Sequence, residues 1–167
     1  MRVAWSVNRT LERPHRKRWR SEQARIPWAA VPETLITRPK HRTFPGRPDQ
    51  IAHARDFTRR VLGPCPVLDE AVLLVSELAT NAIEHTATAD EGSFHVTIYH
   101  GDSSLLIAVT DDGSDNVPMP AHQTDTLAET GRGLELVELI ADRWGYCGDG
   151  HGRTVWFELS WKQSESS

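Results

Sequence analysis

The stretch SELATNAIEH at residues 76–85 spaces Glu77, Asn81 and His85 four residues apart, with Glu84 beside them, in an otherwise apolar run. Four residues make one helical turn plus about 40°, so Glu77 and Asn81 project side by side from one helix. A carboxylate placed there can take the proton of an attacking hydroxyl. An amide one turn away sets a neutral oxygen acceptor beside that carboxylate. Glu84 and His85 read more simply, as polar residues at a helix end that face water, His85 also suiting the negative end of the helix dipole.

Three more short signals follow in the chain: Asp111-Asp112-Gly113, Gly131-Arg132-Gly133-Leu134 and Gly152-Arg153-Thr154. Singly, each is ordinary: an ExxxN pair is a solvated helix face, DDG a turn, GxG a tight corner. Glycines that open a helix, however, present free N–H groups and a positive dipole end to phosphate, and Arg132 adds charge at the same place.

The elements that must position these residues follow from hydrophobic period. RTFPG (42–46) reads as a short edge strand stopped by Pro45 and Gly46. PDQIAHARDFTRRVLG reads as a helix opened by Pro48 and Asp49 and stopped at Gly63-Pro64. A second helix runs from about Val67 to His85, with Ala71, Val72, Val75, Leu78, Ala79, Ala82 and Ile83 on one face and Glu77, Asn81, Glu84 and His85 on the other. FHVTIYH (94–100) alternates and LLIAVT (105–110) is continuously apolar, which makes a hairpin with a buried second strand. Residues 112–130 form a polar loop, long enough to suggest function. A helix follows over 131–142, with Glu135, Glu138 and Asp142 on its wet side, then the strands WGYC and RTVWFELSW across the turn GDGHG. In the last strand Val155, Phe157, Leu159 and Trp161 alternate inward. The order β-α-α-β-β-loop-α-β-β predicts a two-layer α+β sandwich, a mostly antiparallel mixed sheet with three helices on one face.

The chain has 167 residues, 38% hydrophobic and 25% charged, the balance of an ordinary globular domain. It holds no apolar run of membrane-spanning length and no apolar core of a secretory signal, so the expected location is cytoplasmic. Its two cysteines, Cys65 and Cys147, lie far apart and read as reduced thiols. Charge divides sharply. Residues 1–42 hold eleven Lys and Arg against three acids, whereas residues 43–167 hold eight against twenty. We therefore divide the chain into a basic, Pro-interrupted arm (1–41), expected to be poorly ordered, a domain (42–161) and a polar tail (162–167). A basic arm invites a nucleic-acid reading, but a simple tail ranks ahead of it and direct nucleic-acid binding is not expected.

No GxxxxGK[ST] and no strand-borne GxGxxG occurs, and no Ser or Cys sits in a nucleophile elbow, so P-loop, dinucleotide and hydrolase folds are unsupported. The order and spacing of the four signals instead resemble the Bergerat-fold (GHKL) ATPases, which include histidine-kinase catalytic domains, type II topoisomerase ATPase domains and MutL. Within that group, VLLVSELATNAIEHT and GRGLELVELIADRWGY are most similar to the anti-sigma-factor serine/threonine kinases. The resemblance spans roughly residues 42–161 and implies an ATP and Mg²⁺ site. In it Glu77 is the catalytic base and Asn81 the Mg²⁺ ligand, Asp111 and Gly113 receive the adenine, and Gly131, Arg132, Gly133 and Leu134 receive the phosphates. Thr154 supports the adenine end, and 112–130 is the ATP lid. The first glycine box departs from the family's DxGxG: Asp111-Asp112-Gly113-Ser114-Asp115 lacks the second glycine. The implied function is ATP-dependent phosphorylation of a serine or threonine on an antagonist protein by a homodimer that also binds a sigma factor. The alternative is an ATP-binding regulatory module without phosphotransfer.

Overall fold

A computed structural model describes residues 20–21, 38–84, 92–112, 132–149 and 152–162. In chain order the elements are β1 (Arg20–Ser21), β2 (Lys40–Pro45), α1 (Gln50–Leu62), α2 (Leu68–Glu84), β3 (Ser93–His100), β4 (Ser104–Asp111), α3 (Arg132–Ile140), β5 (Arg143–Asp149) and β6 (Gly152–Ser160). From β2 onward this is the order read from the sequence. The arm adds one element that periodicity did not show, the two-residue β1, and β2 starts at Lys40, just inside the expected arm.

The sheet order is β1-β5-β6-β4-β3-β2. Every pair is antiparallel except β1 with β5, which is parallel, so the sheet is mixed as expected. β2 is an edge strand, and Pro45 at its end can sit there because an edge position tolerates a missing N–H.

Local signals explain the helix bounds. α1 stops at Gly63, which adopts φ 60° and donates its N–H to the Arg59 carbonyl at 2.9 Å. α2 carries Asp69 and Glu70 in its first turn, where the dipole favours acids. Its buried residues are the seven of the predicted apolar face with Leu74 added, so the stripe is wider than the wheel alone suggested. α3 ends at Ile140, short of the expected 142. Asp142 lies beyond the helix and accepts hydrogen bonds from the Ser160 N–H and Oγ, both at 2.7 Å, which ties the exit of α3 to the end of β6.

The helices cover one sheet face and share its core. Phe44 of β2 stacks on Phe94 of β3 (centroids 5.2 Å apart) and meets Phe57 of α1 edge-on at 6.1 Å. Truncating a buried aromatic of this kind costs about 3–5 kcal/mol. Strand alternation sends the other set of side chains to the opposite face, where Tyr99, Leu106, Ala108 and Trp156 form a second buried cluster. Gly145 is needed there: a Cβ on it would lie 2.9 Å from the Trp156 ring of the neighbouring strand. Neither Cys65 nor Cys147 is in a disulfide. Among the described residues no helix is long and apolar enough to cross a membrane.

Candidate nucleotide site

α2 turns its apolar stripe to the sheet, which leaves Ser76, Glu77, Thr80 and Asn81 half-buried along its flank. Ser76 and Thr80 satisfy their hydroxyls on the carbonyls one turn earlier, each at 2.9 Å, and so add no group to a site. Glu77 and Asn81 are different. Both reach the first turn of α3, where a Cβ on Gly133 would stand 3.1 Å from Asn81 Nδ2, 3.4 Å from its Oδ1 and 3.2 Å from Glu77 Oε2. Two signals 52 residues apart in the chain thus meet: the polar face of one helix and the glycine-opened start of another. A larger residue at 133 would fill the space their polar ends use.

The first turn of α3 has backbone N–H groups without intrahelical partners, and its dipole end is positive. A carboxylate, an amide oxygen and such a helix start suit a polyphosphate with a hard divalent cation. Mg²⁺ takes most of its oxygen ligands from phosphates and water and needs only one or two from protein. Asn81 Oδ1, with Glu77 beside it, fits that demand. Among the described residues no three His, Cys, Asp or Glu side chains gather into a metal site of their own.

Arg132 is the first residue of α3 and Leu134 is buried in the main core, which leaves only its backbone N–H for a phosphate. Glu84 is exposed at the end of α2. Gly113, Gly131, His85 and nearly all of the 112–130 loop lie outside the described residues.

Asp111, the expected adenine residue, closes β4 and is 5% exposed. Its strand partner is Arg153, 7% exposed, whose Nε lies 3.4 Å from Asp111 Oδ2. The rungs behind this pair on the same face are apolar: Val109 with Val155, Ile107 with Phe157, Leu105 with Leu159. Asp112, one residue on, accepts the Ser93 N–H at 2.7 Å and fastens the start of β3 to the end of β4. The two acids of the DDG signal therefore have separate tasks.

Thr154 is not brought to Asp111. Successive strand residues point to opposite faces, and Thr154 Oγ1 instead meets Thr110 Oγ1 at 2.8 Å on the face away from the helices. The residue of the GRT signal that shares a face with Asp111 is Arg153, to which the sequence reading gave no role. Its signal was present all the same. Val155, Phe157 and Leu159 were read as inward, and Arg153 has their parity.

Comparison with known proteins places the domain in a family. The family model described as a histidine kinase-like ATPase domain matches residues 44–159. Serine-protein kinase RsbW of Bacillus licheniformis is 31% identical over 87 residues, covering 45% of this chain and 54% of that protein. The chain thus spans about half the length of that relative. The family match takes in the described strands from β3 to all but the last residue of β6 and the three described helices, so the chain belongs to the histidine kinase-like ATPase family and carries that family's ATPase domain.

Proposed function

We propose that this protein is an ATP-dependent regulatory kinase of the anti-sigma type. It phosphorylates a serine or threonine of a small antagonist protein and, in another nucleotide state, holds a sigma factor. The observation that carries this reading is the convergence of Glu77 and Asn81 on Gly133 at the start of α3. In this reading Asn81 orients the Mg²⁺-bound phosphates, and Mg²⁺, when bound, neutralises their charge. Glu77 accepts the proton of the substrate hydroxyl as its oxygen attacks the γ-phosphorus. The bond from that phosphorus to the β-phosphate oxygen breaks, and ADP leaves. A domain that only bound ATP would have no use for a carboxylate at that position. The partial likeness to a serine-protein kinase supports the same conclusion. The protein acts in the cytoplasm as a homodimer in this reading.

The second reading is nucleotide-dependent partner binding without transfer. The feature that favours it is the single glycine in Asp111-Asp112-Gly113-Ser114-Asp115. Labelled ATP, Mg²⁺ and candidate antagonist proteins from the same genome separate the two. Transfer of label to an antagonist by wild type, lost in Glu77→Gln with ATP binding retained, supports the kinase. Binding of ATP with no labelled antagonist supports the module. Undiminished ATP·Mg²⁺ binding by Asn81→Ala would overturn the site itself.

A further inference from the structure

The sheet face away from the helices is buried, although in a two-layer sandwich it should meet water. Leu106 there is 0% exposed and Trp156 2%, and Tyr99, Ala108, Ser104 and Glu158 of the same face are buried with them. Side chains standing side by side on an open sheet keep their tips in water, so strand neighbours alone do not enclose a Trp ring. None of the three described helices contributes a residue to this cluster. The burial arises within one chain, and so the chain supplies its own cover.

The strand order identifies which part. β1 ends at Ser21 on one edge of the sheet, and β2 begins at Lys40 on the opposite edge. Five strand spacings, roughly 24 Å, separate those edges, and the sixteen residues 22–37 can reach about 50 Å. The connection therefore crosses with slack. A path over the helices or round the strand ends would leave Trp156 and Leu106 open to water, whereas a path over the outer face covers them. Its composition suits that place. Residues 22–37 carry Ile26, Trp28, Val31, Leu35 and Ile36 with only three charges, Glu22, Arg25 and Glu33. Residues 1–21 hold seven Lys and Arg against one acid, so the basic character of the arm ends where this segment begins. Pro27 and Pro32 lack the N–H that a strand would pair, which favours lying across the sheet over extending it. We propose that the outer face is a docking surface whose occupant is the chain's own segment 22–37, its apolar side chains set against Tyr99, Leu106, Ala108 and Trp156. With that face taken, a second copy or a protein partner must dock elsewhere. The proposal does not depend on the kinase reading.

Cross-linking identifies the occupant directly. Thr97 pairs with Ala108 and stands half-buried at the rim of the cluster. The full-length chain carries the photoreactive p-benzoylphenylalanine in place of Thr97, and equal amounts of isotopically light and heavy protein are mixed, irradiated and digested. The cross-linked peptides are expected to come from residues 22–37 of the same chain. Cross-links to any other segment, light-to-heavy cross-links that put a second copy on the face, or no cross-link to protein each overturn the proposal. Should the bulky group prevent folding by circular dichroism, Cys147 serves as a second probe. It is buried on the same face, paired with Thr154. In the full chain with Cys65→Ser it is the one thiol left. Burial of one large apolar side chain corresponds to about tenfold or more in an equilibrium. Adding Trp28→Asp and Val31→Asp is therefore expected to speed thiol labelling of Cys147 by about tenfold or more. An unchanged labelling rate, or protection that rises with protein concentration, overturns the proposal.

Discussion

Gly133 stands so close to Asn81 that a Cβ at position 133 would lie 3.1 Å from the amide Nδ2. The same Cβ would lie 3.2 Å from Glu77 Oε2, so a methyl group there displaces two side-chain ends and no backbone. Alanine favours a helix over glycine by up to about 1 kcal/mol, and overpacking typically costs about 1–3 kcal/mol. Here the crowded atoms are the free ends of side chains, so the two effects nearly cancel. Gly133→Ala should therefore unfold within a few degrees of wild type yet bind ATP·Mg²⁺ about tenfold more weakly. Thermal unfolding and nucleotide titration on one preparation check both halves. Wild-type affinity in the variant would mean that the site is not organised around this glycine.

Thr154 gives the opposite expectation. Its hydroxyl is joined to Thr110 on the face away from α2, remote from the Asp111 side of the sheet. Thr154→Val removes one hydrogen bond of about 1 kcal/mol and preserves the shape of the side chain. The melting temperature should fall by a few degrees while ATP affinity stays within about twofold of wild type. A tenfold loss of affinity would show that the threonine serves the nucleotide after all.

The difference between these two residues shows what the sequence could and could not tell. The helices and strands were legible because their apolar residues repeat with the periods that burial imposes: the α2 stripe from Ala71 to Ile83, and Val155, Phe157 and Leu159 in β6. The meeting of Glu77 and Asn81 with Gly133 was legible only through family spacing, since no local signal links residues 52 positions apart. Placing Thr154 beside Asp111 followed residue type, whereas strand parity puts Arg153 on that face and Thr154 against Thr110. Asp142 was placed on a helix face because its spacing fits one, but α3 ends two residues earlier and its carboxylate is drawn to Ser160. β1 could not be read at all. Two residues carry no period, and their pairing partner lies more than a hundred residues away.

Asp112 tests the division of labour within the DDG signal. Its carboxylate accepts the Ser93 N–H at 2.7 Å at an exposed position. Loss of that bond in Asp112→Ala should cost about 0.5–1.5 kcal/mol, visible as a lower denaturant midpoint at an unchanged slope. ATP affinity should change by less than threefold. Asp111→Ala, by contrast, should lose ATP binding beyond detection and leave Arg153 a buried charge without its carboxylate, destabilising the fold by about 3–5 kcal/mol. Equal effects of the two variants on affinity would refute the assignment.

Glu158 supplies a pH dependence that is independent of the nucleotide. It leaves β6 on the face away from the helices, 8% exposed, with Arg143 Nη1 3.2 Å from its Oε2. Burial raises its pKa above the ordinary 4.5; the charge of Arg143 opposes the rise and that of Asp142 adds to it. A carboxyl group whose pKa is higher in the folded state binds its proton more tightly there. The stabilisation is thus fully present below the unfolded value and is lost as pH rises through the folded one. Glu158→Gln keeps the shape and cannot ionise, so it removes this term. The melting temperature of wild type minus that of Glu158→Gln should therefore decrease steadily as pH is raised from about 4 to 7. Taking the difference cancels the titration of every other group common to both proteins. A difference that grows with pH would mean that the ion pair with Arg143 outweighs burial, and a flat one that Glu158 is as well solvated in the folded chain as in the unfolded.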